Sequence, residues 1–339
     1  MAQRPTMHDV AAKAGVSQAV VSLVLSGRYA GRASEATAHR IREASADLGY
    51  RTNLQAKTLK TGVSEIIGLV GDDVATSPFS GQMIKGAQDR VWEEGNTLMT
   101  VDTGGDSRLE AAAIDTLLSH QVRGILYTAM YHKELEVPEV ALETRTVALN
   151  ARDLSGRIPG VVPDDETGGY EATRILLEAG HTRIGMINIF PGEGIPAARD
   201  RRRGYERALL EAGITPDPDL LVAGEGIHSS GQEGARRLLG LTDPATAIFC
   251  GNDRTALGAY QEIAAMGLSI PEDVSIVGYD DQDILRDYFH PGLTTIQLPF
   301  LAMGVRAAAL VLDPAAPAET HAIPCPVIHR GSVAPPKGR

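Results

Sequence analysis

Residues 6–26 read TMHDVAAKAGVSQAVVSLVLS, two short helices joined by a tight turn. Thr6 precedes an apolar run at helical spacing (Met7, Val10, Ala11, Ala14), and Asp9 follows it by three residues, a start signal of the capping-box type. Gly15 stands just after the last periodic residue, where a left-handed C-cap favours a residue without a Cβ, and Val16 then turns back into the core. Ser17 is a second N-cap. Behind it Val20, Val21, Val24 and Leu25 recur at helical spacing, which leaves Gln18, Ala19, Ser22 and Leu23 as a small outward surface.

Two helices of about two turns each cannot bury a core alone, so a third must close the unit. Ser34 to Leu48 supplies it: Ser34 caps it, Ala38, Ile41, Ala44 and Leu48 form its apolar stripe, and Gly49 ends it before Tyr50. The expected unit is a helix-turn-helix, whose second helix enters the major groove of double-stranded DNA while capped helix starts and nearby hydroxyls hold phosphates. An ordinary three-helix bundle has the same spacing. Charge favours DNA. The chain has a net charge of −11, yet residues 1–62 hold nine Lys/Arg against four Asp/Glu, a balance of +5 that leaves −16 for the rest. Such an acidic body repels phosphates and confines contact to the basic part.

Beyond the headpiece, Asn53 to Lys60 (NLQAKTLK) is short but helix-competent, Thr61-Gly62 breaks it, and Glu65 to Val70 opens a buried strand. The runs TMHDVAAKAGVSQAVVSLVLSG, SEATAHRIREASADLGYRTN, LQAKTLKTG and IIGLVGDD together resemble the lac repressor family of bacterial regulators, over nearly the whole chain. The fold class this resemblance implies is α/β. It has an N-terminal three-helix helix-turn-helix DNA-binding domain (1–52), a hinge helix and linker (53–62) and a two-subdomain, periplasmic-binding-protein-like core (63–333). A flexible tail covers 334–339. The first subdomain is expected at about 63–162 and 294–320, the second at 163–293 and 321–333. The resemblance further implies a homodimer on a pseudo-palindromic operator, with a tetramer left open, and a small polar effector such as a sugar. No cofactor is expected.

Individual positions carry over in the same way. Thr6, Ser17, Ser22, Tyr50 and Asn53 are expected near phosphates, and Ala56 and Leu59 in the hinge. Leu59 matches the leucine that family members wedge into the minor groove; a core leucine is the rival reading. Leu23 stands where many members carry an Arg, so bidentate Arg-to-guanine readout is lost there and Gln18, Ala19 and Leu23 must read bases.

From residue 63 onward, short apolar strands alternate with helices, the pattern of parallel sheets covered on both faces. Strands are expected near 65–70, 97–102, 122–127 and 145–149, then near 183–189, 220–224, 246–250 and 274–278. Helices fall near 79–95 and 106–120, then near 166–180, 198–212, 230–239 and 254–266. Two sheets imply two subdomains. Ligands of such sheets bind beyond the carboxyl ends of strands. Asn150, Asn252 and Asp280 stand at such ends and Arg201 lies early in a helix. In the family the matching positions line the effector pocket, although Asn and Asp there also cap turns and helices. Gly226-Ile227-His228 replaces the family's stacking aromatic, which leaves Phe79 as the aromatic candidate.

Other classes fit less well. Residues 189–197 only loosely match a dinucleotide fingerprint, since Pro191 and Pro196 disturb its turn. Asp280 to Asp283 lacks the glycine and downstream Glu of a calcium loop. Cys250 and Cys325 form no CxxC pattern. A transport solute-binding protein shares the clamp architecture, but needs an export signal, whereas the first residues here read as a DNA-binding unit; a cytoplasmic location follows as the expectation.

Overall fold

The computed structural model of the chain describes residues 5–51, 58, 62–73, 80–192 and 194–337. Its contacts divide the chain into two units, Met1–Ser64 and Glu65–Arg339. Asn53, Ala56, Leu59 and Phe79 lie outside the described residues.

The first unit is built from α1 (Met7–Ala14), α2 (Gln18–Leu25) and α3 (Glu35–Leu48). Thr6 and Asp9 form the reciprocal capping box, Ser17 and Ser34 accept from Val20 N and Thr37 N, and Gly15 and Gly49 close α1 and α3 at φ 67° and 63°. Val10, Val21, Ala38 and Ile41 are fully buried between the three helices. Each buried Val or Ile contributes roughly 1.5–3 kcal/mol, enough in sum to hold helices too short to stand alone.

The second unit holds two six-stranded sheets. The first runs β11-β5-β4-β3-β1-β2, parallel throughout, with β1 Ile66–Gly71, β2 Thr97–Asp102, β3 Gly124–Leu135, β4 Thr146–Asp153, β5 Gly160–Pro163 and β11 Thr320–Ile323. The second runs β12-β10-β9-β8-β6-β7, with β6 Ile184–Asn188, β7 Leu221–Ala223, β8 Ala247–Cys250, β9 Ser275–Asp280, β10 Thr294–Gln297 and β12 Val327–Ile328. Among the described residues, only β12 is antiparallel to its neighbour. Helices cover both faces of each sheet, and separate apolar cores fill the layers.

The topology departs from the sequence expectation at the crossovers. The segment near 294 was expected to return to the first sheet; β10 instead pairs with β9 in the second, and the return is made by the helix Phe300–Leu312, which the sequence reading did not assign. That helix packs against Gly81–Glu93 of the first lobe. Residues 320–323, expected near a recrossing at 321, still pair with β5, so the chain recrosses only before β12. Three crossovers result, at Asp164, at Leu298-Pro299 and at 324–326. The expected flexible tail is also tied down as far as 337. Ala334 N donates to Ser275 Oγ at 3.0 Å, Ala334 O accepts from His181 Nε2 at 2.9 Å, and Lys337 pairs with Asp273 at 2.6 Å.

β3 and β4 outrun their expected ends, 127 and 149. The register shifts between Thr128 and Lys133, and Asn150 takes a left-handed φ of 57° between Leu149 and Ala151. The irregularity lets both strands continue past the sheet edge as a pair. This extension brings Met130, Tyr131 and His132 over the gap between the lobes.

Candidate functional site

In the first unit, Gln18, Ala19 and Ser22 are exposed along one side of α2, with Leu23 half-buried beside them. Thr6 and Ser17 are exposed at helix starts, where free backbone N–H groups and the helix dipole favour anions. Tyr50, expected near a phosphate, is half-buried against the three-helix core. The sequence reading missed His8, whose Nδ1 lies 3.2 Å from Gln18 Nε2. Only the crossing of α1 and α2 brings residues ten apart together, and the contact steers the amide that faces outward. Arg28, Arg32, Arg40 and Arg51 add exposed positive charge.

In the second unit, Asn150, Arg201, Asn252 and Asp280 come together in one cavity between the lobes. Tyr131, His132, Arg254 and Gln282 complete its polar lining, and Ile189, Leu298 and Phe300 its apolar part. The cavity volume is about 40 Å³. That is room for a few waters, well below the ~300 Å³ or more of ligand pockets.

Arg201, 4% exposed, anchors the floor. It sits early in the helix Pro196–Glu211, its Nε donating to Asp165 Oδ1 at 2.9 Å and its Nη1 to Gly251 O at 2.6 Å. Its guanidinium stacks 3.7 Å over the Tyr279 ring. Asp165 also takes His132 Nδ1 at 2.9 Å, so a buried chain His132–Asp165–Arg201 joins β3 of the first lobe to two helices of the second. Burial alone would raise the Asp165 carboxyl, but the Arg201 charge and the His132 hydrogen bond outweigh it and hold it below the ordinary carboxylate range.

Asn150 donates both amide hydrogens, to Ala129 O and Met130 O at 3.1 and 3.0 Å. Asn252 performs the capping role anticipated for strand-end asparagines: its Oδ1 accepts from Thr255 N at 2.8 Å, while its Nδ2 donates to Gly226 O at 2.9 Å. Gly226 thus holds a pocket residue through its backbone, where the family's aromatic would stand. Tyr131 supplies an aromatic instead, edge-on to Phe190 of the other lobe at 5.9 Å, with its hydroxyl 3.5 Å from Arg254. Sequence reading missed Tyr131 and His132, because strand length rather than a local motif places them, and Phe190, which lies in the loop after β6.

Asp280 carries a φ of 113°, a conformation L residues rarely adopt and one that concentrates at functional sites. Its Oδ2 accepts from Gln282 Nε2 at 2.6 Å and its Oδ1 lies 3.7 Å from Arg201. Burial pushes this carboxyl up to about 6 against the pull of Arg201. With the folded value above the ordinary 3.8, its contribution to stability is full below pH ~4 and lost as the pH rises through about 6. Asp280→Asn should therefore match the parent near pH 4 and become the more stable of the two as the pH rises toward 7. Urea unfolding across that range measures it; a constant difference would place the titration elsewhere.

Among the described residues, no cluster of three or more His, Cys, Asp or Glu side chains is placed to hold a metal. The oxygens of Asp281 are taken by Arg330, Arg286 and Gln297. No helix there is long and apolar enough to cross a membrane.

Residues 6–53 match the model for bacterial regulatory proteins of the lacI family, and residues 173–333 that of the periplasmic binding protein-like domain. The transcriptional regulator GalR of Salmonella typhimurium is 34% identical over 98% of this chain and 96% of its own. The repressor PurR of Aliivibrio salmonicida is 33% identical over 91% of each chain, and the repressor CytR of Escherichia coli 32% over 91% of this chain and 89% of its own. The complex of the regulator CelR with cellobiose superposes with a TM-score of 0.68 at 27% identity, over 97% of this chain and all of that one. The lac repressor dimer, bound to operator and the anti-inducer ONPF, shares the fold with a TM-score of 0.78 at 24% identity, over 98% of this chain and all of that one. With relatives aligned from the capped helix-turn-helix to the two-sheet core, the chain belongs to the lacI family of DNA-binding transcriptional regulators.

Proposed function

We propose that the chain is a transcriptional repressor that binds a pseudo-palindromic operator as a homodimer, its affinity set by a small polar metabolite, a sugar or sugar derivative, held between the two core lobes. The observation carrying this reading is the cavity, to which both lobes contribute polar side chains at the carboxyl ends of their strands. Asn150 belongs to one lobe and Arg201, Asn252 and Asp280 to the other, so a ligand touching both sets favours approach of the lobes over separation. In the DNA-binding unit, Thr6, Ser17, Ser22 and Asn53 hold phosphates and Gln18, Ala19 and Leu23 meet base edges. Ala56 and Leu59 serve in the hinge, Leu59 as a minor-groove wedge.

The test joins two measurements on the full chain. A thermal-shift screen of sugars, polyols and nucleosides should find a compound that adds ~2.7 kcal/mol at a hundred times its Kd. The same compound should change operator affinity roughly five- to hundredfold, a coupling of ~1 to 3 kcal/mol. In the operator assay, Leu59→Ala should weaken binding while leaving the melting temperature alone. A compound that stabilises the protein yet leaves operator binding unchanged would refute the regulatory link.

A further inference from the structure

A polar recess beside the crossover at Asp164 is larger than the cleft cavity. Its volume is about 320 Å³, within the range of small-molecule sites, which begins at ~300 Å³. Arg152, near the end of β4, contributes from the first lobe, and the crossover and second lobe contribute Asp164, Glu166, Arg199, Asp200 and Arg203. Of the residues that line the cleft cavity, Pro163 alone recurs here.

Most charges around the recess are engaged by protein partners. Asp165, which also lines it, is held by Arg201 at 2.9 Å, and Glu166 by Arg207 at 2.7 Å. Arg199 divides between Asp200 at 2.9 Å and Glu134 at 3.2 Å, and Arg203 lies 3.8 Å from Asp200. Two groups of the lining are left among the described residues. Asp164 Oδ1 accepts from Thr167 N at 3.2 Å, while its Oδ2 takes no hydrogen bond there. Arg152 is the unmatched cation: its Nε is buried without a hydrogen-bond partner, and no acid among the described residues pairs with its guanidinium. A guanidinium stays charged and can only donate, whatever the protonation of its surroundings. Burying such a donor without an acceptor is unfavourable, so the position requires one.

The geometry points to an accessory anion site in this recess, distinct from the cleft, that takes a small metabolite bearing one carboxylate or phosphate group for Arg152 and a neighbouring hydroxyl or amine for Asp164. The planar fork of an arginine suits two oxygens of either anion side by side. One anionic group is what the recess lacks, because its other charges cancel in pairs; a polyanion would meet Asp164, Glu166 and Asp200 as well. The site adjoins the cleft through one carboxylate, since Asp165 also bonds to His132 and Arg201 of the cleft lining.

The experiment is calorimetry on the full chain with lactate and glycerol 3-phosphate, each beside its uncharged counterpart, lactamide and glycerol, and with inorganic phosphate as the bare anion. Lactate or glycerol 3-phosphate should bind about tenfold or more tightly than its counterpart, and more tightly than inorganic phosphate. Arg152→Met should weaken that binding by about tenfold or more while operator binding is unchanged. Arg152→Lys keeps the charge but not the fork, so it should fall between the parent and the methionine variant, and it decides the matter if the latter does not fold. Arg254→Met, in the cleft, should leave the affinity for the anion unchanged. Failure of all three anions to bind overturns the proposal and leaves Arg152 a solvated cation. Binding that persists in both Arg152 variants, or that is lost in Arg254→Met instead, overturns it by placing the anion elsewhere. Equal affinity of each acid and its uncharged counterpart overturns it as well.

Discussion

Arg201→Met should unfold on the order of 10 °C below the parent and lose effector response at the same time. Resemblance to the family alone suggests a binding residue whose removal leaves the protein intact, but the geometry gives Arg201 a structural share. Removing it strands the Asp165 carboxylate in a dry interior with His132 as its remaining partner, and breaking a buried ion pair on one side costs ~3–5 kcal/mol. For a unit of this size each kcal/mol moves the melting temperature by about 2–4 °C. The pH dependence separates the two shares. Because the Asp165 carboxyl is held below its ordinary value, the stability it supplies is present above pH ~4 and lost as the pH falls further, the opposite sense to Asp280. Thermal melts of Arg201→Met, Asp165→Leu and the double variant between pH 3 and 7 measure the coupling. A double variant no more stable than the sum of the singles would deny that the pair acts as a unit.

Gly169→Ala should destabilise the second lobe by about 3 kcal/mol or more, although alanine is the better helix former by up to ~1 kcal/mol. The helices Asp165–Glu178 and Pro196–Glu211 meet backbone to backbone. A Cβ on Gly169 would lie 2.2 Å from Arg201 O, and one on the facing Gly204 would lie 2.1 Å from Glu166 O. Neither obstacle is a side chain that swings aside, so the helices must move apart and take Arg201 with them. The same reciprocal arrangement recurs where Gly86 faces Gly304 and where Gly231 faces Gly258, in the other two tight helix pairs. Gly81→Ala, at a helix start with nothing within 4 Å of the new methyl, is the control and should be neutral or slightly stabilising. Denaturant melts of both variants decide it; equal stability would mean that the helix pair has slack the geometry denies.

The sequence by itself determined the headpiece almost residue for residue, because its signals act over three or four positions. Thr6 caps a helix whose Asp9 caps back, Ser17 and Ser34 bind N–H groups three residues on, and Gly15 and Gly49 take a conformation that a Cβ disfavours. It also determined the alternation of strands and helices and the strand-end positions of Asn150, Asn252 and Asp280, to which resemblance to the family added Arg201 as a neighbour in the cleft. Only the tertiary structure decided what depends on pairing across the fold. β10 and β11 are short strands whose sheet is chosen by neighbours far along the chain, so the crossovers were misplaced. Tyr131 and His132 lie on a strand extension held by a partner strand, and His132 acquires its role from Asp165, 33 residues away. The facing glycines acquire theirs from helix crossings, which no local pattern announces. Capping and periodicity are written in neighbouring residues, whereas the polar lining of the cleft exists as a site only once two sheets, three crossovers and a bulge have brought it to one cavity.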